Sequence, residues 1–438
     1  MGVEPVAVRA ISRVRRRLIP FLATMYFVAY LDRVNVGFAA LQMNAALHLS
    51  DRVFGIGAGI FFIGYFLFEI PSNVALARFG ARVWIARIAI VWGLVSIAMI
   101  FITGPRSFYL MRFLLGAAEA GFFPGIVLYF TYWFPGPERA RAVAAFYVAS
   151  MAAGIIGAPL SGALLSIRGL TGLDGWQWLF LVEGLPAVLL GIIALGFLTD
   201  APESADWLPD DEKSWLLEAI RRDPADAALS HSASLAAGLL SPAVAVLASS
   251  YFLIVTSGYG FSFFLPQIVK AFSGGSDLLV GAWTAVPFLV AAVGITVVAT
   301  HSDRTGERRM HVACCAGLAA AGLAVASVLT APAARFVALS CAAIGLYAYV
   351  APFWSLTTGF LRGDGAVVGI AFINALGNLG GFLGPFVMGW MKDLSGDYLV
   401  GLRLLAGAAL ISAVLVFAGT RIVRRGTAGT PTYRSAWS

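Results

Sequence analysis

The sequence predicts an all-α polytopic membrane protein with twelve transmembrane helices in two pseudo-symmetric six-helix halves. Three observations predict it: a composition too apolar for a fold in water, twelve apolar stretches of spanning length, and an internal repeat in one constant register.

Of the 438 residues, 60% are hydrophobic and 12% charged, and the mean hydropathy is +0.85. A soluble domain carries roughly 45–50% apolar and about 25% charged residues. Lipid must therefore be the solvent, and without water the backbone can cross only as helices or as a closed barrel. The apolar runs are continuous, lacking the alternation of barrel strands, so they are helices. The net charge of +7 falls in short loops and at the termini, which suits orientation in a bilayer and argues against a nucleic-acid partner. Cys314, Cys315 and Cys341 lie inside apolar segments without disulfide or zinc spacing, so neither a metal nor a bound cofactor is expected.

With about 20 residues needed to cross the hydrocarbon, the expected spans are 18–40, 54–76, 82–102, 106–133, 140–166 and 176–198, then 241–270, 279–300, 310–331, 334–358, 365–391 and 397–420. The first follows Arg13, Arg15, Arg16 and Arg17 as a signal peptide would. It is too long, lacks a small-residue cleavage site and contains Asp32-Arg33, so it is read as a retained helix. Residues 1–198 form the N-terminal half and 241–438 the C-terminal half. The polar stretch 199–240 is a linker, with Trp207, Trp215 and Leu216 among acids as a short amphipathic helix on the cytoplasmic surface. Inward segments hold most of the basic residues, including Arg78, Arg82, Arg139, Arg141, Lys213, Arg304 and Arg308. Outward loops hold few, among them Arg52, Arg106, Arg168, Lys270 and Lys392. Both termini are thus expected in the cytoplasm of a multi-pass cell (inner) membrane protein.

The repeat supports the division. Ala77-Arg78-Phe79-Gly80-Ala81-Arg82 matches Asp303-Arg304-Thr305-Gly306-Glu307-Arg308 at an offset of 226 residues. The same offset carries Ala145-Phe146 to Ala371-Phe372, Gly154 to Gly380 and Pro159 to Pro385. Parallel halves related about the membrane normal resemble the major facilitator superfamily, where the site lies between them at mid-depth. The loop is similar to that superfamily's cytoplasmic motif G-x-x-x-D-R-x-G-R-R. The second copy keeps Asp303, Arg304, Gly306 and Arg308, whereas the first retains Arg78, Gly80 and Arg82 but has Asn73 and Ala77 where a glycine and the acid belong. The pair of loops reads as a gating clamp or as basic, orienting turns, and both can hold.

Ionisable residues inside a membrane are rare and usually mark a pathway or a pair. Asp32 and Arg33 sit in the first span, Arg112 and Glu119 in the fourth. At 1.5 Å per residue Asp32 lies ~21 Å from the inner face. Arg112, descending from the outer face, reaches about the same level. Arg33 shares a face with Tyr30, while Asp32 points ~100° away toward a neighbouring helix. Gly116 leaves room beside Arg112 and Glu119. Converging guanidinium forks suit a carboxylate, and nearby acids can change protonation with their surroundings. The alternative is a structural pair, Asp32–Arg112 or Arg33–Glu119. His48, His231, His301 and His311 fall in loops or at span ends, so a proton path would use acids. Glu69 and Glu183, each near a proline, read as satisfying broken-helix donors near span ends. Asn374 and Asn378, four residues apart, suit either helix packing or a substrate hydroxyl or carboxylate.

These segments resemble the anion:cation symporter family of the major facilitator superfamily. The carriers are Tyr30-Leu31-Asp32-Arg33-Val34-Asn35, the run Arg112 through Glu119 to Pro124-Gly125, Trp178-Leu179-Phe180 with Glu183-Gly184-Leu185-Pro186, and Gly377-Asn378-Leu379-Gly380-Gly381 with Gly384-Pro385. The resemblance implies no enzyme but proton-coupled import of a small organic anion, such as a sugar acid, tartrate or an aromatic carboxylate, by a functional monomer. It implies Arg33 and Arg112 at the anion and Asp32 and Glu119 in proton coupling; from the residues themselves, the pocket is read as lined by Tyr30, Tyr65, Asn374 and Asn378. A proton-driven exporter of drugs or metabolites is the competing class, since Gly154-Ile155-Ile156-Gly157-Ala158-Pro159 loosely resembles an antiporter motif. Paired arginines suit a lipophilic cation poorly. No hydrolase motif or phosphate-binding loop is present.

Overall fold

The computed structural model describes residues 5–167, 172–222, 241–361 and 366–419. Among them every regular element is a helix. In order the helices are α1 (Pro5–Ala46), α2 (Asp51–Phe79), α3 (Ala81–Ala98), α4 (Pro105–Glu119), α5 (Phe122–Trp133), α6 (Gly136–Leu165), α7 (Gly175–Phe197) and α8 (Asp210–Arg221). They continue as α9 (Pro242–Ser273), α10 (Asp277–Thr305), α11 (Arg309–Ala326), α12 (Pro332–Ala348), α13 (Val350–Phe360), α14 (Ala366–Ser395) and α15 (Leu399–Val414). Among the described residues, eleven stretches are long and apolar enough to cross a membrane. With α1, whose 42 residues carry Asp32 and Arg33, they make about twelve spanning helices.

By internal contacts the chain divides into two compact units. One comprises Met1–Leu49, Ile60–His231 and Gly275–Ala285; the other comprises Ser50–Gly59, Ser232–Gly274 and Val286–Ser438. In the first, α1 packs along α6 and α7, and α3 lies along α7. In the second, α9 packs along α14, and α11 against α12 and α15. In lipid no hydrophobic force draws helices together, so close backbone approach through small residues matters. A Cβ on Gly93 of α3 would lie 2.9 Å from the Gly184 carbonyl oxygen, and one on Gly184 3.1 Å from the Gly93 carbonyl oxygen. These glycines let α3 and α7 touch backbone to backbone beside Glu183.

Three elements depart from the sequence expectation. α1 begins at Pro5, so the arginine-rich lead continues the helix beyond the span expected to start at residue 18. The tenth span divides at Tyr349, which keeps helical angles (φ −57, ψ −37). The fourth, expected as one helix over 106–133, breaks between α4 and α5. The last ladder bond of α4 runs from the Ala120 amide to the Gly116 carbonyl at 3.0 Å, and the ladder resumes with Gly125 donating to Gly121 at 2.8 Å. Pro124 is the cause: it has no N–H, and its ring would strike the carbonyl four residues back, at Ala120. Gly121 completes the break in the left-handed region at φ 83.

The start of the expected linker is folded onto the first unit. Asp210, Asp211 and Glu212 open α8 and Arg221 closes it, each charge favourably placed on the helix dipole. Arg13 donates to the buried Glu212 at 2.8 Å and Arg9 to Asp211 at 3.1 Å. The Glu212 hydrogen bond and its charge push the Arg13 guanidinium above its ordinary range. Trp207 stacks on Trp133 at 5.3 Å between ring centres, and the Arg17 guanidinium lies 4.6 Å from Phe197 and 4.8 Å from Trp207. The remainder of the linker, 223–240, Arg168 of the outward loops and the C-terminal stretch 420–438 lie outside the described residues.

The backbone break is testable. Gly172 shares positive φ (76) but has open space around it, so Gly172→Ala should cost about 1–2 kcal/mol of backbone strain. Gly121→Ala should cost more, because its Cβ would run into Ser72. Melting midpoints of the purified variants in detergent check this; equal losses would mean that the Ser72 contact yields freely.

Candidate functional site

The buried charges of the first unit sort onto two faces of α1. Asp32, 1% exposed, turns toward α3, where Ser96 donates a hydrogen bond to its Oδ1. Asn35, one turn on, donates to the same oxygen at 3.1 Å. Arg33 turns the other way and forms an ion pair with Glu119 at the end of α4. Of the two structural pairs weighed from the sequence, Arg33–Glu119 is present, and Asp32 takes hydroxyl and amide donors instead.

Arg112 is fully buried, one turn above Gly116. A Cβ on Gly116 would run into the Phe61 carbonyl oxygen, and one on Gly64 into the Phe113 carbonyl oxygen. The room beside Gly116 is therefore filled by the α2 backbone, which brings the Phe61 ring under both arginines. The guanidinium carbons lie 5.0 Å (Arg112) and 5.5 Å (Arg33) from its centre. Tyr65 and Tyr30 complete the aromatic wall at 5.5 Å and 6.0 Å from Arg33. An aromatic face attracts cations, and more strongly when desolvated. Two like charges can thus stand near one ring, with Glu119 supplying a counter-charge. The α4–α5 break follows Glu119 directly, and non-helical backbone at this depth is tolerated only inside protein or against a water-filled cavity.

The structure gathers Tyr30, Asp32, Arg33, Tyr65, Arg112 and Glu119 in the first unit. Asn374 and Asn378 lie half-buried on α14 of the second unit. Glu183 is not near a span end: it sits mid-helix on α7, 2% exposed, and accepts from Ser161 of α6 at 2.9 Å. Its partner is a side chain, where the sequence reading had broken-helix donors. Glu69 is half-buried on α2, and its carbonyl oxygen accepts from Asn73 at 3.0 Å.

At the loop motifs, Arg78 is exposed and lies over Phe79 at 5.7 Å. Gly80 has φ 87 and ψ 148, a conformation that glycine favours. Asp200, beyond the end of α7, accepts from the Arg82 amide at 2.8 Å and faces the Arg82 guanidinium at 3.8 Å. The acid missing from the first motif is therefore supplied from another loop. In the second copy the acid is internal: Asp303 pairs with Arg308 at 2.6 Å, Gly306 turns at φ 66, and Arg304 is exposed.

Phe61, Ser96, Ser161 and Asp200 were not singled out from sequence. Phe61 carries no signal among many apolar neighbours. The two serines were legible only as small polar residues in apolar helices, and Asp200 as an acid at a helix end.

Comparison with known proteins agrees with this architecture. The pattern of the Major Facilitator Superfamily matches residues 22–385. A putative tartrate transporter of Agrobacterium vitis is 49% identical over 407 residues, covering 93% of this chain and 90% of its own. A quinolone resistance transporter of Acinetobacter baumannii is 41% identical over 407 residues, covering 93% of this chain and 94% of its own. Among solved structures, a bacterial homolog of the human lysosomal transporter Spinster, in an inward-facing and unoccupied conformation, has a TM-score of 0.75 at 19% identity, covering 97% and 99% of the two chains. That likeness is one of fold.

The shared ring predicts a measurable coupling. In a double-mutant cycle of Phe61→Leu and Arg112→Gln, unfolding free energies should couple by about 0.5–2 kcal/mol. Additivity would show that the ring only fills space.

Proposed function

We propose that this chain, which belongs to the Major Facilitator Superfamily, is a proton-coupled symporter that imports a small organic anion by alternating access. It is a multi-pass membrane transporter and not an enzyme. The observation that carries the finer reading is the Arg33–Glu119 ion pair beside the buried Arg112.

Arg33 and Arg112 bring two positive charges, Asp32 and Glu119 two negative ones, so the group is neutral as it stands. A carboxylate that enters alone adds an uncompensated charge in a low-dielectric interior, where each unpaired ion costs several kcal/mol. A proton that enters with it and settles on Glu119 restores neutrality. Protonation also frees the Arg33 fork, which then binds the incoming carboxylate in a bidentate manner. Proton and anion thus need each other in the same cavity, which is symport. The 49% identical relative, described as a putative tartrate transporter, supports an organic acid as the substrate. Tyr30 and Tyr65 would line the anion's path, with Asn374 and Asn378 offering amides to hydroxyl groups.

The excess of basic residues in the inward loops supports the reading that both termini are cytoplasmic in a cell (inner) membrane protein. There Arg78, Gly80, Arg82, Asp303, Arg304, Gly306 and Arg308 act as gating turns, and the chain works as a monomer with the proton as its only coupling ion. The 41% identical relative, named for quinolone resistance, favours a second reading, in which the same fold exports a drug against an inward proton flow.

Proteoliposomes separate the two. Under an inward proton gradient the wild type should accumulate tartrate or another organic acid. Glu119→Gln, which mimics the protonated acid, should exchange labelled for unlabelled anion without accumulating it. Uphill uptake undiminished in Glu119→Gln would remove this residue from the proton path. Proton-driven extrusion of a quinolone without anion uptake would establish the second reading.

A further inference from the structure

Behind the arginine site lies a second acidic group. Asp32 and Glu183 are 1% and 2% exposed, on α1 and α7, which pack together. Asn35 joins them: its amide donates to Asp32 at 3.1 Å, and its side chain also faces Glu183. The remaining partners are hydroxyls, Ser96 of α3 on Asp32 and Ser161 of α6 on Glu183. Among the described residues no cation lies within ion-pair distance of either carboxyl. The charged groups acting on Asp32 are Glu119 and Arg112, and the one acting on Glu183 is Asp32. Among the described residues, the side chains that α3 and α6 hydrogen-bond to the pair are these serines.

The hydrogen-bond count does not close for two carboxylates. Ser96, Asn35 and Ser161 all donate, yet Asp32 Oδ2, Glu183 Oε2 and Asn35 Oδ1 are buried without a donor. All three are acceptors. A buried unsatisfied acceptor costs about 1–3 kcal/mol, more when charged, and two like charges in one dry site disfavour each other. A single proton relieves both: it removes one charge and turns one orphaned oxygen into a donor.

We propose that Glu183 holds a second proton, in a carboxyl pair with Asp32 bridged by Asn35 and separate from the proton assigned to Glu119. The proposal rests on the proton-driven reading above for its role in transport, and on the donor count for its existence. With Glu119 it gives the transporter two proton-holding places. Glu183 acts as a positioning residue for that second proton and does not touch the substrate site at Arg33 and Arg112.

Infrared spectroscopy of the purified, lipid-reconstituted protein tests this without transport. At neutral pH the wild type should show the carbonyl stretch of a protonated carboxylic acid. That band should vanish in Glu183→Gln, persist in Glu119→Gln, and shift in Ser161→Ala, which keeps the acid but removes the hydroxyl on its carbonyl oxygen. The serine variant also serves should Glu183→Gln fail to fold. A band absent from the wild type, lost only in Asp32→Asn, or unmoved by both Glu183→Gln and Ser161→Ala overturns the proposal. In proteoliposomes the ratio of protons to anions moved should fall in Glu183→Gln and recover in Glu183→Asp; a lowered rate at an unchanged ratio would make Glu183 merely structural. Accumulation that persists in Glu119→Gln would instead sink the coupling assigned to Glu119 and leave the Glu183 band in place.

Discussion

A guanidinium buried in a membrane-spanning helix requires a counter-charge, and here the ion pair of Arg33 with Glu119 meets that requirement. Removing one partner of such a pair leaves an uncompensated buried charge, at a cost of about 3–5 kcal/mol. Much of the surrounding structure serves that balance. Asp32 is turned to Ser96 and Asn35, away from the arginines, and the Phe61 ring faces both cations. The same balance makes the site responsive, because whatever replaces the Glu119 charge at Arg33 must be an anion.

Backbone approach fixes where those charges stand. Gly64 and Gly116 bring α2 and α4 together so that Phe61 lies at the arginines, and Gly93 and Gly184 do the same for α3 and α7 beside Glu183. Pro124 ends the α4 ladder just past Glu119. The pair thus sits at a helix end where the ladder breaks at Gly121. Further out, Asp200 ties the end of α7 to the turn at Gly80, and Arg13 ties α1 to α8. The value of these contacts lies in holding loops and helix ends in register.

Most of the architecture was legible because lipid imposes it: spanning length, continuous apolar runs and the 226-residue register follow from constraints that act on local sequence. The contrast between Asp32 and Arg33 was legible for a similar reason, since helical geometry turns adjacent residues ~100° apart. What stayed hidden depended on contacts between distant segments. Nothing local distinguishes Phe61 from its apolar neighbours, or tells Ser161 that Glu183 will face it. Asp200 replaces the acid lost at Ala77 from more than a hundred residues downstream, where no motif spacing could reveal it. The break at Ala120–Gly121 was within reach, because Pro124 carries a local steric rule, but the apolar run around it hid the boundary.

The central claim is that the anion displaces Glu119 from Arg33 and that a proton takes the place of Arg33 on Glu119. Isothermal titration of the purified protein with the bound organic acid, repeated at neutral pH in buffers of different ionisation enthalpy, measures the protons taken up on binding. The account predicts net proton uptake by the wild type, and a smaller uptake in Glu119→Gln at comparable affinity. Binding heats independent of the buffer in the wild type would contradict it, because the anion would then enter without the proton that charge balance at Arg33 demands.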